Sequence, residues 1–241
     1  MSKTLVVVVP DADVLAATVA SRLVAKIVDA QADRGTASVV LTGGRIAAKV
    51  LTTVKDLPAA AAIDWSQVDL WWGDERFLPA GDADRNETQA RAALLDALPL
   101  DPARVHAMPA DAGQGVSSAA VSYAAELGDP LPTFDVLMLG VGEDGHVASL
   151  FPDHPVLTET GTTTAAVHDS PKPPPNRVTL TMPTIQSADE VWLIAAGPDK
   201  TVSVGAALGG DKSKPAAHAT GVSKTYWLLD RAAAADVPAR R

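Results

Sequence analysis

The feature that most limits how this chain can fold is a recurrence of short, apolar, β-branched runs at residues 5–9, 38–41, 68–72, 134–139, 191–196 and 225–229. Between them lie stretches with helical periodicity at residues 13–32, opened by an aspartate cap, and at 46–54, 86–97, 116–127 and 199–208. Runs this apolar predict strands covered on both faces, and strand alternating with helix predicts a mainly parallel sheet with right-handed crossovers. The expected fold class is a doubly wound α/β, Rossmann-like sheet flanked by helices. Its 241 residues suit a single domain over 1–241. One stretch, 158–175, is loop-rich and ends in Pro171-Lys172-Pro173-Pro174-Pro175. It reads as a stiff connector, with a lid as the alternative.

Composition removes several classes of function. A formal charge of -9 opposes general binding to nucleic acid or to an anionic membrane, so any phosphate has to meet a local positive site. The absence of cysteine excludes disulfides, thiolate metal sites and cysteine nucleophiles, and fits a reducing compartment. The first apolar run stops at Pro10-Asp11, far short of a membrane span, and no signal-peptide pattern follows. The expectation is a cytoplasmic protein with no nucleic-acid or membrane partner.

In a doubly wound sheet, ligands bind beyond the carboxyl ends of the strands, so the residues after each apolar run come first in a search for chemistry. Thr42-Gly43-Gly44-Arg45 lies between a strand and a helix. Paired glycines there would let backbone N–H groups and the helix N-terminus cradle a phosphate, with Arg45 as an added donor; the alternative is a tight turn with no ligand. Gly73-Asp74-Glu75-Arg76 follows the run 68–72. Arg76 suits a phosphate or carboxylate, and Asp74 and Glu75 either brace it or polarise substrate hydroxyls, unless the segment is simply an exposed loop.

The most informative segment runs from Phe134 to Pro152 and carries Gly140-Val141-Gly142-Glu143-Asp144-Gly145-His146 directly after a strand. An imidazole is the natural general base near neutral pH, and the glycines around it open the backbone to a substrate. Asp144, two residues before His146, is placed to orient it. The other four histidines, His106, His154, His168 and His218, lack such a context and read as bystanders. No histidine pair has ligand spacing with a carboxylate, so neither a metal nor a cofactor is expected.

Taken together, the Gly73–Arg76 segment with Pro79, the segment from Phe134 to Pro152, and Asn176-Arg177-Val178-Thr179-Leu180-Thr181 with the later Gly197 and Lys200 resemble the 6-phosphogluconolactonase family. The resemblance follows the order and spacing of these motifs along most of the chain. It implies a fold shared with the glucosamine-6-phosphate isomerase superfamily and a substrate that is a δ-lactone bearing a 6-phosphate. The related deaminases carry an acidic residue five positions after the equivalent histidine, where this chain has Phe151. The family's phosphate loop commonly continues with hydroxyl residues, whereas this chain reads Arg45-Ile46-Ala47. In the turn Asp84-Arg85-Asn86, Arg85 stands where a serine is common, and only Asn86 carries over.

The resemblance implies hydrolysis of 6-phospho-D-glucono-1,5-lactone with His146 as general base and Asp144 as its support. Gly43, Gly44, Arg45, Asp74, Arg76, Arg177 and Lys200 would bind the substrate, with Arg76 assigned mainly to phosphate. Two alternatives accompany this reading: a deaminase-like sugar-phosphate isomerase, and a non-catalytic sugar-phosphate-binding protein. The latter would need a DNA-binding module in a regulator, and the first strand leaves little room for one ahead of it. The expected partner is the small sugar phosphate alone, bound by a monomer.

Overall fold

The computed structural model describes residues 3–238. The six expected runs become β1 (Lys3–Val9), β2 (Ala37–Leu41), β3 (Val68–Trp72), β5 (Val136–Gly140), β8 (Glu190–Ala195) and β9 (Lys224–Asp230). They form one sheet in the order β1-β9-β8-β5-β2-β3, and every pairing is parallel. From β2 the chain moves outward to β3 on one side. From β5 it moves outward through β8 and β9 on the other. The topological switch therefore falls between the carboxyl ends of β2 and β5, where this class of sheet opens a crevice.

Burial on both faces holds in the interior of the sheet, where every residue of β2 and β8 is buried. It fails at the edge: β1 has one neighbouring strand, and Val8 is exposed. Helix α1 (Ala12–Arg34) begins where the carboxylate of Asp11 accepts the N–H groups of Asp13 and Val14, and ends at Gly35. Its face of Leu15, Val19, Leu23, Val24 and Ile27 is buried, each large side chain contributing roughly 1.5–3 kcal/mol of burial. Helix α2 (Arg45–Asp56) packs beside α1. At the amino ends of β2 and β5, the buried carboxylate of Asp135 accepts Arg34 Nη2 at 2.6 Å and the Ser38 N–H at 2.8 Å, fixing helix and both strands together.

Three further strands did not stand out by apolar patterning. They are β4 (Asp74–Arg76), β6 (Thr164–Val167) and β7 (Arg177–Leu180), which make a small antiparallel sheet in the order β4-β7-β6. The stretch 158–175 is thus more than a connector, since it contains β6. Helix α4 (Val116–Leu127) packs against β6 and β7, and its Tyr123 hydroxyl accepts the Trp72 N–H at 3.0 Å, joining the small sheet to the edge of the large one. The helix expected over 86–97 stops as α3 (Asn86–Ala93), because Leu94 leaves helical geometry at φ -148°. A short α5 (Met182–Gln186) was not anticipated, and α6 (Thr201–Leu208) follows a single tight turn at Pro198–Lys200. Among the described residues no helix is long and apolar enough to cross a membrane.

Candidate active site

A cavity of about 640 Å³ opens over the switch between β2 and β5. Its wall includes Gly43, Gly44, Arg45, Asp74, Arg76, His146, Arg177 and Lys200, so eight of the nine anticipated residues line one space. The ninth, Asp144, lies directly behind His146. None of the other four histidines reaches it.

The loop after β5 is a closed turn. The Gly142 N–H donates to His146 O at 2.9 Å, the Gly145 N–H donates to Gly142 O at 3.0 Å, and the Ser203 hydroxyl holds Gly142 O from α6. Within it, His146 Nδ1 meets Asp144 Oδ1 at 2.5 Å, and the same oxygen accepts the His146 backbone N–H at 3.2 Å. A side chain at position 142 would overlap the imidazole and this carboxylate, so glycine is required there by the pair it shelters. With Nδ1 engaged, Nε2 is the ring nitrogen left for the cavity. Burial works to raise the Asp144 carboxyl, but the hydrogen bonds and charge of His146, aided by Lys172, hold it well below the usual aspartate range. The pair can keep one imidazole tautomer and stabilise the cation formed when Nε2 takes a proton.

Phe151 is fully buried and packs its ring against His146, centroid to centroid 4.5 Å. Arg177 lies over the same ring at 5.6 Å. The residue five positions after His146 is therefore a dry backing for the imidazole.

Because residues 74–76 form a strand, their side chains alternate. Asp74 and Arg76 line the cavity, while Glu75 points away and accepts the N–H groups of Arg76, Asn86 and Glu87, bracing the start of α3. Burial pushes the Glu75 carboxyl up, against these hydrogen bonds and the nearby Arg85. Arg85, also buried, reaches the carbonyls of Leu78 and Met108 and so acts as a strut. Asp74 accepts the Ser149 hydroxyl at 2.6 Å and lies 3.3 Å from Asn86 Nδ2 and 3.9 Å from Arg177 Nη1. Arg76 donates to Asp84 O at 2.5 Å and pairs across the strands with Arg177. Asn86 lines the cavity, packed so closely against Gly43 that a β-carbon there would collide with it. Its Oδ1 is buried with no protein donor.

The glycine loop lines the cavity. Gly44 is the residue before α2, no side chain caps that helix, and its first-turn N–H groups open on the cavity. Arg45 itself projects outward: its side chain is 94% exposed and 3.9 Å from Asp199. Lys200 is mostly buried and 3.2 Å from Asp199. Gly197, which starts that turn, donates its N–H to Asp230 at 3.0 Å. Arg177 is largely committed to protein. Its Nη2 donates to Lys172 O at 3.1 Å and Pro173 O at 2.9 Å, and Nε to Pro174 O at 3.3 Å.

Lys49 and Lys172 also line the cavity and were not anticipated. Lys49 pairs with Asp13. Neither lies at a strand end, the position that guided the search. The one signal for Lys172 in sequence is a cation set among prolines, which fix its backbone.

A family model described as "Glucosamine-6-phosphate isomerases/6-phosphogluconolactonase" matches residues 10–227. The chain belongs to this family. Within the glucosamine-6-phosphate isomerase/6-phosphogluconolactonase family, it is 56% identical over 241 residues to a 6-phosphogluconolactonase of Streptomyces coelicolor, covering 95% of this chain and 92% of that protein. It is 47% identical to the 6-phosphogluconolactonase of Mycobacterium tuberculosis, covering 95% and 96% of the two chains. The crystal structure of the 6-phosphogluconolactonase from Leishmania guyanensis superposes with a TM-score of 0.82 at 26% identity, over 99% of this chain and all of that one. The family joins two reactions, and all three of these relatives carry the lactonase name.

Proposed function

We propose that this chain hydrolyses 6-phospho-D-glucono-1,5-lactone to 6-phospho-D-gluconate. The observation that carries the reading is the Asp144–His146 pair, which points one free imidazole nitrogen into the cavity and is backed by Phe151. In the proposed reaction His146 Nε2 takes a proton from water as the water oxygen adds to the lactone carbonyl. The tetrahedral oxyanion then collapses, the bond to the ring oxygen breaks, and that oxygen takes the proton back from the imidazolium. Asp144 stays ionised and holds the ring in place. The 6-phosphate lies on the N–H groups of Gly43 and Gly44 and of the first turn of α2, with Lys200 and Arg76 as cations and Arg45 at the rim. Asp74 and Asn86 face the sugar hydroxyls. Arg177 adds charge from behind the loop it holds. The reading extends to one catalytic domain working as a cytoplasmic monomer on a small sugar phosphate, without cofactor, metal or nucleic acid.

A deaminase-like isomerisation needs a second acid or base near His146, and Phe151 offers none. The test is a lactonase assay on purified protein with the spontaneous rate subtracted, run with and without EDTA. Rapid turnover unaffected by EDTA, and lost by about 10²–10⁴-fold in His146→Ala, is expected. No turnover above the spontaneous rate, or a fully active His146→Ala, would overturn the proposal.

A further inference from the structure

The buried arginine behind the site points to a residue that the general-base reading leaves unused. Arg177 sits with its side chain 7% exposed, and burial pushes its guanidinium down from the usual arginine range, with Asp74 opposing and Arg76 adding to the effect. Holding a cation there is costly, and three of its contacts go to the carbonyls of residues 172–174. The same loop is closed on itself. The Ser170 hydroxyl donates to Lys172 O at 2.8 Å and accepts the Lys172 N–H at 3.3 Å, while the Ser170 N–H donates to Pro175 O at 2.9 Å. All this anchoring is on the backbone. It leaves the Lys172 side chain to project into the cavity wall, with Nζ 4.0 Å from Asp144 Oδ1. That oxygen is 2.5 Å from His146 Nδ1, so the two contacts laid end to end put the ammonium no more than 6.5 Å from the imidazole.

We infer that Lys172 is a catalytic residue: its ammonium, carried on a loop that Arg177 and Ser170 hold rigid, stabilises the oxyanion at the lactone carbonyl. The inference rests on the lactonase reading above. Water activated at Nε2 must attack a carbon within reach of His146, so the carbonyl oxygen that gains the negative charge develops on the side of the cavity where Lys172 stands. The cradle at Gly43–Gly44 and Lys200 serve the phosphate at the α2 and α6 side. An ammonium carried on a loop already held in place needs little reorganisation when the charge appears. As the oxyanion collapses, the C1–ring oxygen bond breaks and the ring oxygen takes its proton from His146, so Lys172 keeps its own protons throughout. Arg177 is then a positioning residue, acting through Lys172.

The test compares wild type, Lys172→Met and Lys172→Arg for kcat and KM on 6-phosphogluconolactone, and for inhibition by inorganic phosphate. Lys172 is partly exposed and its contacts within the loop are through the backbone, so both variants should fold, as circular dichroism will show. The methionine variant should lose about 10²–10³-fold in kcat, with KM and the phosphate inhibition constant within about threefold of wild type, and arginine should restore part of the rate. A kcat within threefold of wild type in Lys172→Met would overturn the inference. So would a weakened phosphate inhibition with a raised KM, which would make Lys172 part of the phosphate grip. An inactive wild type would instead overturn the lactonase reading, so the two failures are distinguishable.

Discussion

Phe151 packs its buried ring against His146 in a tilted contact at a centroid distance of 4.5 Å and carries the Arg177 guanidinium 5.6 Å from the same ring. This contact keeps one flank of the proposed general base dry and limits how the imidazole can tilt. It also leaves no ionisable side chain at position 151 beside the imidazole.

Replacing that ring tests its role directly. Phe151→Leu should keep most of the fold at a cost of roughly 1–2 kcal/mol and retain measurable lactonase activity. Phe151→Glu puts a carboxylate between His146 and Arg177, and kcat should fall by at least about tenfold as the imidazole and the arginine are drawn to the new charge. Thermal melts with steady-state kinetics on both variants check this. Equal activity in Phe151→Glu and wild type would mean the wall has no influence on the base.

Asp144→Asn keeps the shape of the loop but removes the charge that supports an imidazolium, and the amide can present the wrong group to Nδ1. A loss of about 10²-fold or more in kcat is expected, with little change in KM. The pH dependence follows from the lowered Asp144 carboxyl. A group depressed in the folded state adds stability that is complete above its ordinary value near 4 and is lost as pH falls toward its folded value. Wild type should therefore keep its full stability advantage over Asp144→Asn from neutrality down to about pH 4, and that advantage should narrow progressively below it. Melting temperatures between pH 3 and 7 will show whether the two converge on the acid side.

Two glycines should behave differently when given a methyl group. Gly142→Ala drives a β-carbon into the imidazole and Asp144, so kcat should fall by about 10²-fold while KM stays near wild type. Gly43→Ala displaces Asn86 from beside the phosphate cradle, so its main effect should be a higher KM. Kinetics on the two proteins, each confirmed as folded by circular dichroism, separate the base loop from the binding loop.

The cations at the proposed phosphate end are also unequal. Arg45 is 94% exposed at its side chain and faces solvent, whereas Lys200 is 19% exposed. Arg45→Ala should change KM by no more than about threefold, and Lys200→Ala should raise it tenfold or more, since a screened surface charge contributes little. Arg76→Ala should also act chiefly on KM. A larger KM effect at Arg45 than at Lys200 would show that the arginine swings inward when substrate binds.

Much of the fold was legible in the chain because the six large-sheet strands are apolar along their length and are punctuated by helical patterns. The small sheet was not, since β4 is three residues of Asp-Glu-Arg and β6 is a short Thr-Ala-Ala-Val run, and neither carries a hydrophobic period long enough to announce a strand. That omission blurred the site. Read as a loop, Asp74, Glu75 and Arg76 could not be ranked; as a strand, its alternation sends Glu75 to brace α3 and the other two to the cavity.

What the sequence determined by itself was the parallel core and the glycine loops at its carboxyl edge, with Asp144 two residues from His146, because these depend on neighbouring residues and on hydrophobic period; their side-chain contact came from the fold. Only the tertiary structure decided that Arg45 turns outward, that Arg177 spends its donors on the loop of residues 172–174, and that Lys172 reaches the cavity beside Asp144. Those outcomes depend on which distant segments compete for the same buried donors and space. Arg177 and Lys172 lie five residues apart in the chain, yet their roles follow from β7 pairing with β4 and from the loop after β5, contacts that no local pattern of residues encodes.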